Sequence, residues 1–281
     1  MQIIDNFRHL FSLRYARLAI QSAHTQEEFR KNPSATEDLV GFVYDQVTTD
    51  LIITPRYEAN FIDAWLTFLK DNNVTFDTFI DGGAHIGMTS RAVSPYFKKI
   101  IAFEPMDLTF ELLRLNTRNT ENIEIRKAAL FNVTSNRKIS FGKGYVSGAS
   151  LEPVGETHVS QMVSTTTLDE ELKGERFKNL VVKLDVEGSE FNALQGAERT
   201  IAKHKPVFII EILRRKINDG SSDSFKFLKE RGYKFYNPEI KYRGRNRIKK
   251  LFSKNSQIVI RNVENLEKVS GLYNYLICLP T

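Results

Sequence analysis

From residue 76 the chain alternates short apolar runs with amphipathic ones, and that alternation restricts the fold more than any other feature. "FDTFID", "KIIAFEP", "IEIRKAAL", "RKISFG", "NLVVKLD", "PVFIIEIL", "YKFYN" and "YNYLICLP" read as strands. "MTSRAVSPYF", "LTFELLRLNTRN", "EFNALQGAERTIAK" and "SFKFLKERG" read as helices. Strands separated by helices of about 10–15 residues build a parallel sheet covered on both faces. Right-handed crossovers fix the winding of such a sheet. The expected architecture is a doubly wound α/β domain.

The residues ahead of this pattern differ in kind. Residues 1 to about 45 read as helices, and "NFRHLFSLRYARLAIQ" sets Phe7, Leu10, Phe11, Tyr15 and Leu18 on one stripe. The expected division is a helical extension over 1–55 and one large domain over 56–281. The stripe suits packing on the body of the protein, on a second copy in a homo-oligomer, or on a membrane surface as a peripheral contact. "FIDAWLTFL" (61–69) is one more amphipathic helix, ended by "KDNN". No apolar stretch approaches the roughly 20 residues needed to span a bilayer. Cys278 is the single cysteine, so no intrachain disulfide can form. A cytoplasmic protein is the plain expectation. The net charge of +6 is modest but concentrated: "KYRGRNRIKKLFSK" (241–254) carries seven cations and no acid. Such a run attracts phosphate-bearing substrates, anionic lipid or RNA, or is simply a solvated loop.

The stretch "FIDGGAHIGM" (79–88) follows an apolar run with three glycines. Clustered glycine marks a place where backbone turns tightly or lies against something. In a doubly wound sheet, ligands bind outside the carboxyl ends of the strands, where the strand order reverses. Gly82, Gly83, Ala84, His85 and Gly87 form a turn there. The missing side chains would let a ligand lie against it, facing free N–H groups of the next helix. Glu104, before Pro105 in "AFEP", ends the next strand roughly 20 residues on, where an acid reaches the hydroxyls of a ribose. A nucleoside is the expected ligand. Asp81 would meet the pyrophosphate of NAD poorly and would attract an amino group or a sulfonium. S-adenosylmethionine therefore fits better than NAD.

"DGGAHIGMTS", "AFEP" and above all "VVKLDVEGSEFNALQGAE" (181–198) followed by "PVFIIEI" resemble, in the same order, the FkbM family of S-adenosylmethionine-dependent methyltransferases. The resemblance runs from about residue 55 to 215, and K-x-D-x-E-G is its most specific element. It implies a Rossmann-like class I methyltransferase fold: a mostly parallel seven-stranded sheet with helices on both faces. It also implies a last strand running antiparallel, for which "YNYLICLP" is the candidate. The implied activity is O-methylation of a sugar, glycan or natural-product hydroxyl. The family's turn usually has Asn where this chain has His85. The turn acts through backbone, so the departure leaves cofactor binding in place and opens a further role for His85. Glu58, beside Tyr57 in "PRYEANF", resembles the family's Y-E element and would close over the cofactor; a helix-start acid is the alternative.

Methyl transfer from a sulfonium is largely positioning, but a hydroxyl acceptor must lose its proton. Asp185 ends "NLVVKLD", beside the reactive end of the cofactor. Glu187 follows where the next helix opens, and Glu211 stands near the end of "PVFIIEI". Three carboxylates at neighbouring strand ends can raise one another's pKa and leave one as a base near neutrality. Alternatively, Asp185 and Glu211 would hold Mg²⁺ or Mn²⁺. Glu187 also reads as a first-turn helix acid, worth about 0.3–1 kcal/mol. Lys183 shares Asp185's face of the strand and is expected to pair with a carboxylate. His85 is a second candidate base, His158 a loop residue within reach of substrate, and His204 a helix cap. Ala128 and Ala129, in "KAALF", are placed to offer backbone to adenine.

Other functions share this fold. An NAD-dependent oxidoreductase needs room for pyrophosphate, against Asp81. A nucleic-acid methyltransferase would use the basic run, but D-V-E-G stands where an N-P-P-Y-like element would follow the fourth strand. A non-catalytic nucleoside binder is the remaining alternative. The expected partner is a small-molecule or glycan hydroxyl acceptor.

Overall fold

The computed structural model describes residues 40–41, 59–142, 145–150, 158–212, 217, 221–242, 256–266 and 275–281. Apart from Val40 and Gly41, the expected N-terminal extension lies outside these residues, as do Tyr57, Glu58 and most of the basic run.

Helix α1 (Ala59–Asp71) buries Phe61, Ile62, Trp65, Leu66 and Leu69, the 3.6-residue spacing of an amphipathic helix. After it come β1 (Thr78–Gly82), α2 (Met88–Val93), β2 (Lys99–Phe103), α3 (Asp107–Thr117) and β3 (Ile123–Arg126). Then follow β4 (Ala129–Leu130), β5 (Ser135–Gly142), β6 (Tyr145–Ser150), β7 (His158–Thr166) and α4 (Leu168–Glu171). The chain continues through β8 (Leu180–Leu184), α5 (Glu190–Gln195), α6 (Glu198–His204) and β9 (Val207–Glu211). It closes with α7 (Asp223–Glu230), β10 (Tyr233–Tyr242), β11 (Ser256–Val263) and β12 (Tyr275–Pro280).

The main sheet has the order β11-β10-β12-β9-β8-β1-β2-β3. Strands β3, β2, β1, β8 and β9 are mutually parallel. β12 runs antiparallel between β9 and β10. The antiparallel strand expected at "YNYLICLP" is therefore β12. The expected count of seven is corrected to eight among the described residues, because β11 pairs antiparallel with the outer side of β10.

Alternate residues of each strand separate into two cores. Ile80, Val182, Phe208 and Leu276 pack with α5, α6 and α7. Phe79, Val181, Ile209 and Ile277 pack with α1 and α2. Covering both faces in this way buries strands that are mostly apolar.

Two further expectations change, and a second sheet is added. "IEIRKAAL" is not one strand: β3 ends at Arg126, and β4 joins a second sheet of order β4-β7-β5-β6. The Gly/Ser-containing stretch after "RKISFG" includes β6 and leads into β7 of that sheet. "EFNALQGAERTIAK" is two helices: α5 ends at a cap on Gly196, where a Cβ would lie 2.0 Å from the Phe131 carbonyl oxygen, and α6 starts after Ala197.

Candidate active site

The order of the main sheet reverses between β1 and β8, where doubly wound sheets bind ligands. On the β1 side, Asp81 is fully buried, and Ser90 of α2 donates to its Oδ2 at 2.6 Å. Its Oδ1 accepts no hydrogen bond and lies 3.6 Å from Lys183 Nζ. The turn that follows is closed by the N–H groups of Gly83 and Ala84, which donate to the Phe103 carbonyl at 3.1 and 2.9 Å. Its glycines answer first to the protein's own packing. A Cβ on Gly83 would lie 1.9 Å from the Asp185 carbonyl oxygen, and one on Gly87 would lie 2.8 Å from Leu113 Cδ1. Gly83 also has φ +79°, which side-chain-bearing residues rarely adopt.

Glu104 follows β2, buried, with three hydrogen bonds. Its Oε2 accepts from His85 N–H at 3.0 Å, and its Oε1 from Met106 N–H at 3.0 Å and the Thr109 hydroxyl at 2.7 Å. Burial raises its carboxyl above the usual carboxylate range, and these three donors only partly oppose that. The acid thus ties the glycine turn to the first turn of α3.

On the β8 side, register assembles a row of polar side chains. Asp81 pairs with Lys183 across β1 and β8, and Tyr275 with Glu211 across β12 and β9. Asp185 and Glu211 each follow one residue after the paired Leu184 and Ile210. Lys183 Nζ donates to Asp185 Oδ2 at 3.1 Å, and the Tyr275 hydroxyl donates to the same oxygen. Tyr275 is steadied by stacking on Phe61, with ring centroids 5.1 Å apart.

The two carboxyls titrate in opposite directions. Burial pushes Asp185 up, but the Lys183 charge and the hydrogen bonds from Tyr275, Lys183 and Glu211 outweigh it, and the net shift is downward. Asp185 is therefore ionised at neutral pH. Burial, then the charges of Asp185, Glu187 and Glu190, push Glu211 up to about 9. Glu211 is neutral at pH 7 and shares its proton with Asp185.

These donors do not fit Mg²⁺ or Mn²⁺. Hard cations take several oxygen ligands, whereas one Asp185 oxygen already meets an ammonium and a phenol. Among the described residues, no group of three or more His, Cys, Asp or Glu is arranged to hold a metal ion.

The family profile described as the methyltransferase FkbM domain matches residues 81–235, more than half of the chain. The chain belongs to the FkbM methyltransferase family. Among solved structures, a methyltransferase FkbM from Methylobacillus flagellatus is 18% identical over 58% of this chain and 41% of that one, with a TM-score of 0.35. This chain thus spans less than half the length of that protein. The magnesium protoporphyrin IX methyltransferase of Synechocystis, solved with bound S-adenosylmethionine, is 10% identical over 93% and 97% of the two chains, TM-score 0.45. A putative methyltransferase from Streptococcus mutans, solved with S-adenosylhomocysteine, is 11% identical over 72% and 97%, TM-score 0.38. No curated protein sequence matches the chain.

The FkbM motifs meet at the crevice, with some changes of part. Gly82, Gly83, Ala84, His85 and Gly87 line one turn, and Pro105 follows Glu104, half-buried. Glu187 does not open a helix: it stands in the turn after β8 with φ +51°, and α5 begins at Glu190. The buried Glu190 carboxylate accepts from Val186 N–H at 3.2 Å and Gly188 N–H at 3.0 Å, closing that turn. Ala129 does not end β3; it is in β4, and the next residue, Leu130, packs where a Gly82 Cβ would lie, 3.0 Å away. His158 opens β7 in the second sheet, and His204 closes α6 beside the Phe177 ring, 5.2 Å away. Sequence reasoning missed Tyr275, Glu190, Thr109 and Asn116. The repeat of Thr109, Leu113 and Asn116 at helical spacing was the available signal for two of them.

Proposed function

We propose that the protein transfers the methyl group of S-adenosylmethionine to a hydroxyl oxygen of a sugar, glycan or natural-product acceptor, with Asp185 taking the hydroxyl proton. One observation carries this: an ionised carboxylate, fixed by Lys183 and Tyr275, belongs to the residue whose carbonyl packs against the glycine turn.

The residues present fit the cofactor. Asp81 keeps a buried oxygen without a hydrogen bond, facing the Lys183 ammonium at 3.6 Å, and so still able to accept from an amino group of the cofactor. The turn from Gly82 to Gly87 offers backbone, and a carboxylate has about four acceptor directions, of which Glu104 uses three. The remaining one, on Oε2, suits a ribose hydroxyl. When bound, S-adenosylmethionine supplies a sulfonium methyl group. Asp185 accepts a hydrogen bond from the acceptor hydroxyl and aims an oxygen lone pair. It then takes the proton as the new C–O bond makes that oxygen strongly acidic, so a carboxylate of low pKa suffices. Lys183 keeps Asp185 ionised, and neutral Glu211 adds no second charge beside it at pH 7.

The test is ligand-dependent melting, then transfer of labelled methyl to a panel of glycans and to RNA. S-adenosylhomocysteine at about 100 times its Kd adds about 2.7 kcal/mol, a rise of about 5–10 °C for a domain of this size. NAD⁺ gives no rise. A shift with NAD⁺ alone, or transfer to RNA and not to glycans, overturns the proposal.

A further inference from the structure

One face of α3 supports the candidate cofactor site from behind. Thr109, Leu113 and Asn116 recur at i, i+4 and i+7, the spacing of a single helix face, and all three are buried. Thr109 holds Glu104. Leu113 fills the space that a Gly87 side chain would need. Asn116 donates to the carbonyl of Ile86, in the turn itself, at 2.8 Å.

Asn116 does something more. Its Oδ1 accepts from Val40 N–H at 2.8 Å, and its Nδ2 donates to the Val40 carbonyl at 2.9 Å. One carboxamide therefore pairs with both backbone groups of Val40, as a neighbouring strand would, while its second N–H holds the turn. Both amide hydrogens and the oxygen are used. Val40 is 43% exposed, and among the described residues this pairing is its polar contact.

We infer that Asn116 is a positioning residue that couples a strap at Val40–Gly41 to the cofactor turn, so that docking of the strap and occupancy of the turn favour each other. This rests on the cofactor assignment of that turn. The turn is held on one side by Glu104 at His85 and on the other by Asn116 at Ile86. A ligand that orders the turn orders Asn116, and an ordered Asn116 lowers the cost of docking the strap. Linkage makes the effect reciprocal. Anything that pulls the strap off Asn116 therefore weakens cofactor binding without touching the cofactor.

The experiment uses the full chain and S-adenosylhomocysteine. Hydrogen exchange of the Val40 amide is measured with and without saturating ligand, and ligand affinity is measured for wild type, Val40→Pro, Asn116→Ala and the double variant. Val40→Pro removes the N–H that donates to Asn116 but also fixes φ and restricts the preceding residue. Val40→Ala, which keeps both backbone groups and should bind as wild type, is therefore measured beside it. The expected results are exchange at Val40 slowed about 10-fold by ligand, affinity weakened about 10-fold in Val40→Pro, the yield of one lost buried hydrogen bond, and weakened at least as much in Asn116→Ala, which loses three. The double variant should bind no more weakly than Asn116→Ala. Unchanged exchange at Val40 in a wild type that binds the ligand overturns the inference, and so does wild-type affinity in Val40→Pro. A wild type that binds no S-adenosylhomocysteine overturns the cofactor assignment, and the inference with it. If Asn116→Ala does not fold, wild-type exchange and Val40→Pro still decide.

Discussion

The two sides of the crevice hold their acids in opposite ways. Glu104, after β2, is satisfied by two backbone N–H groups and a threonine hydroxyl. Asp185, after β8, is satisfied by an ammonium, a phenol and a second carboxyl. The donors to Glu104 are backbone N–H groups and a hydroxyl, whereas Asp185 is held by charged and acidic side chains. The β2 side is therefore set by backbone geometry, with Glu104 itself raised by burial. The β8 side is set by the charges of its neighbours, which suits the proton acceptor proposed there.

Asp185→Asn breaks the comparison hardest. It leaves the β2 side intact and removes the proton acceptor, so turnover should fall by about 10²- to 10⁴-fold. Initial rates measured beside S-adenosylhomocysteine affinity check this, and affinity should change far less than turnover. Equal losses in both would mean that the two sides are not separate in function. Gly83→Ala comes next, because Gly83 is where the sides touch. Its Cβ would lie 1.9 Å from the Asp185 carbonyl oxygen, and overpacking together with a left-handed φ costs about 2–4 kcal/mol. Denaturant unfolding reads that loss. Glu104→Gln is milder: an amide offers its oxygen to only some of the three donors and leaves the others unmet. A loss of about 1–3 kcal/mol should appear as about 10- to 100-fold weaker S-adenosylhomocysteine binding.

Much of this was legible because carboxylates at strand ends announce themselves. Asp81, Asp185 and Glu211 each close an apolar run, and Glu104 comes directly after one. An apolar run fixes both the strand and its alternation, so its last residues locate the crevice. The glycines were legible by position but not by cause: the space they leave at Gly83 and Gly87 is taken by Asp185 and Leu113. Tyr275 was hidden because it reaches Asp185 from 90 residues away, through an antiparallel strand whose register no local pattern records. Asn116 and Val40, 76 residues apart, were hidden for the same reason. The second sheet escaped because its strands are polar: "SNRKISFG" and "HVSQMVSTT" bury only a few apolar side chains, such as Ile139 and Val163. "IEIRKAAL" read as one strand because nothing in an apolar run marks the point where a chain leaves one sheet for another.

The smallest effect at neutral pH is expected at Glu211, and it sharpens the comparison most. Glu211 is already neutral at pH 7, so Glu211→Gln should leave turnover there within a few-fold of wild type, roughly the weight of one ordinary hydrogen bond. The difference appears with pH. Glu211 is raised from an ordinary value of 4.5 to about 9 in the folded protein. Between those values the folded state keeps a proton that the unfolded state has released. The stability this confers is complete below about 4.5, declines as pH rises, and is gone above about 9. Asp185 works in the other direction: its lowered pKa confers stability that is lost only in acid, as pH falls below its ordinary 3.8. From pH 5 to 9, then, the slope contributed by this pair belongs to Glu211. Melting curves across that window should show wild type losing ground steadily to Glu211→Gln. Parallel curves would mean that Glu211 is ionised beside Asp185, and that the β8 side does not share a proton.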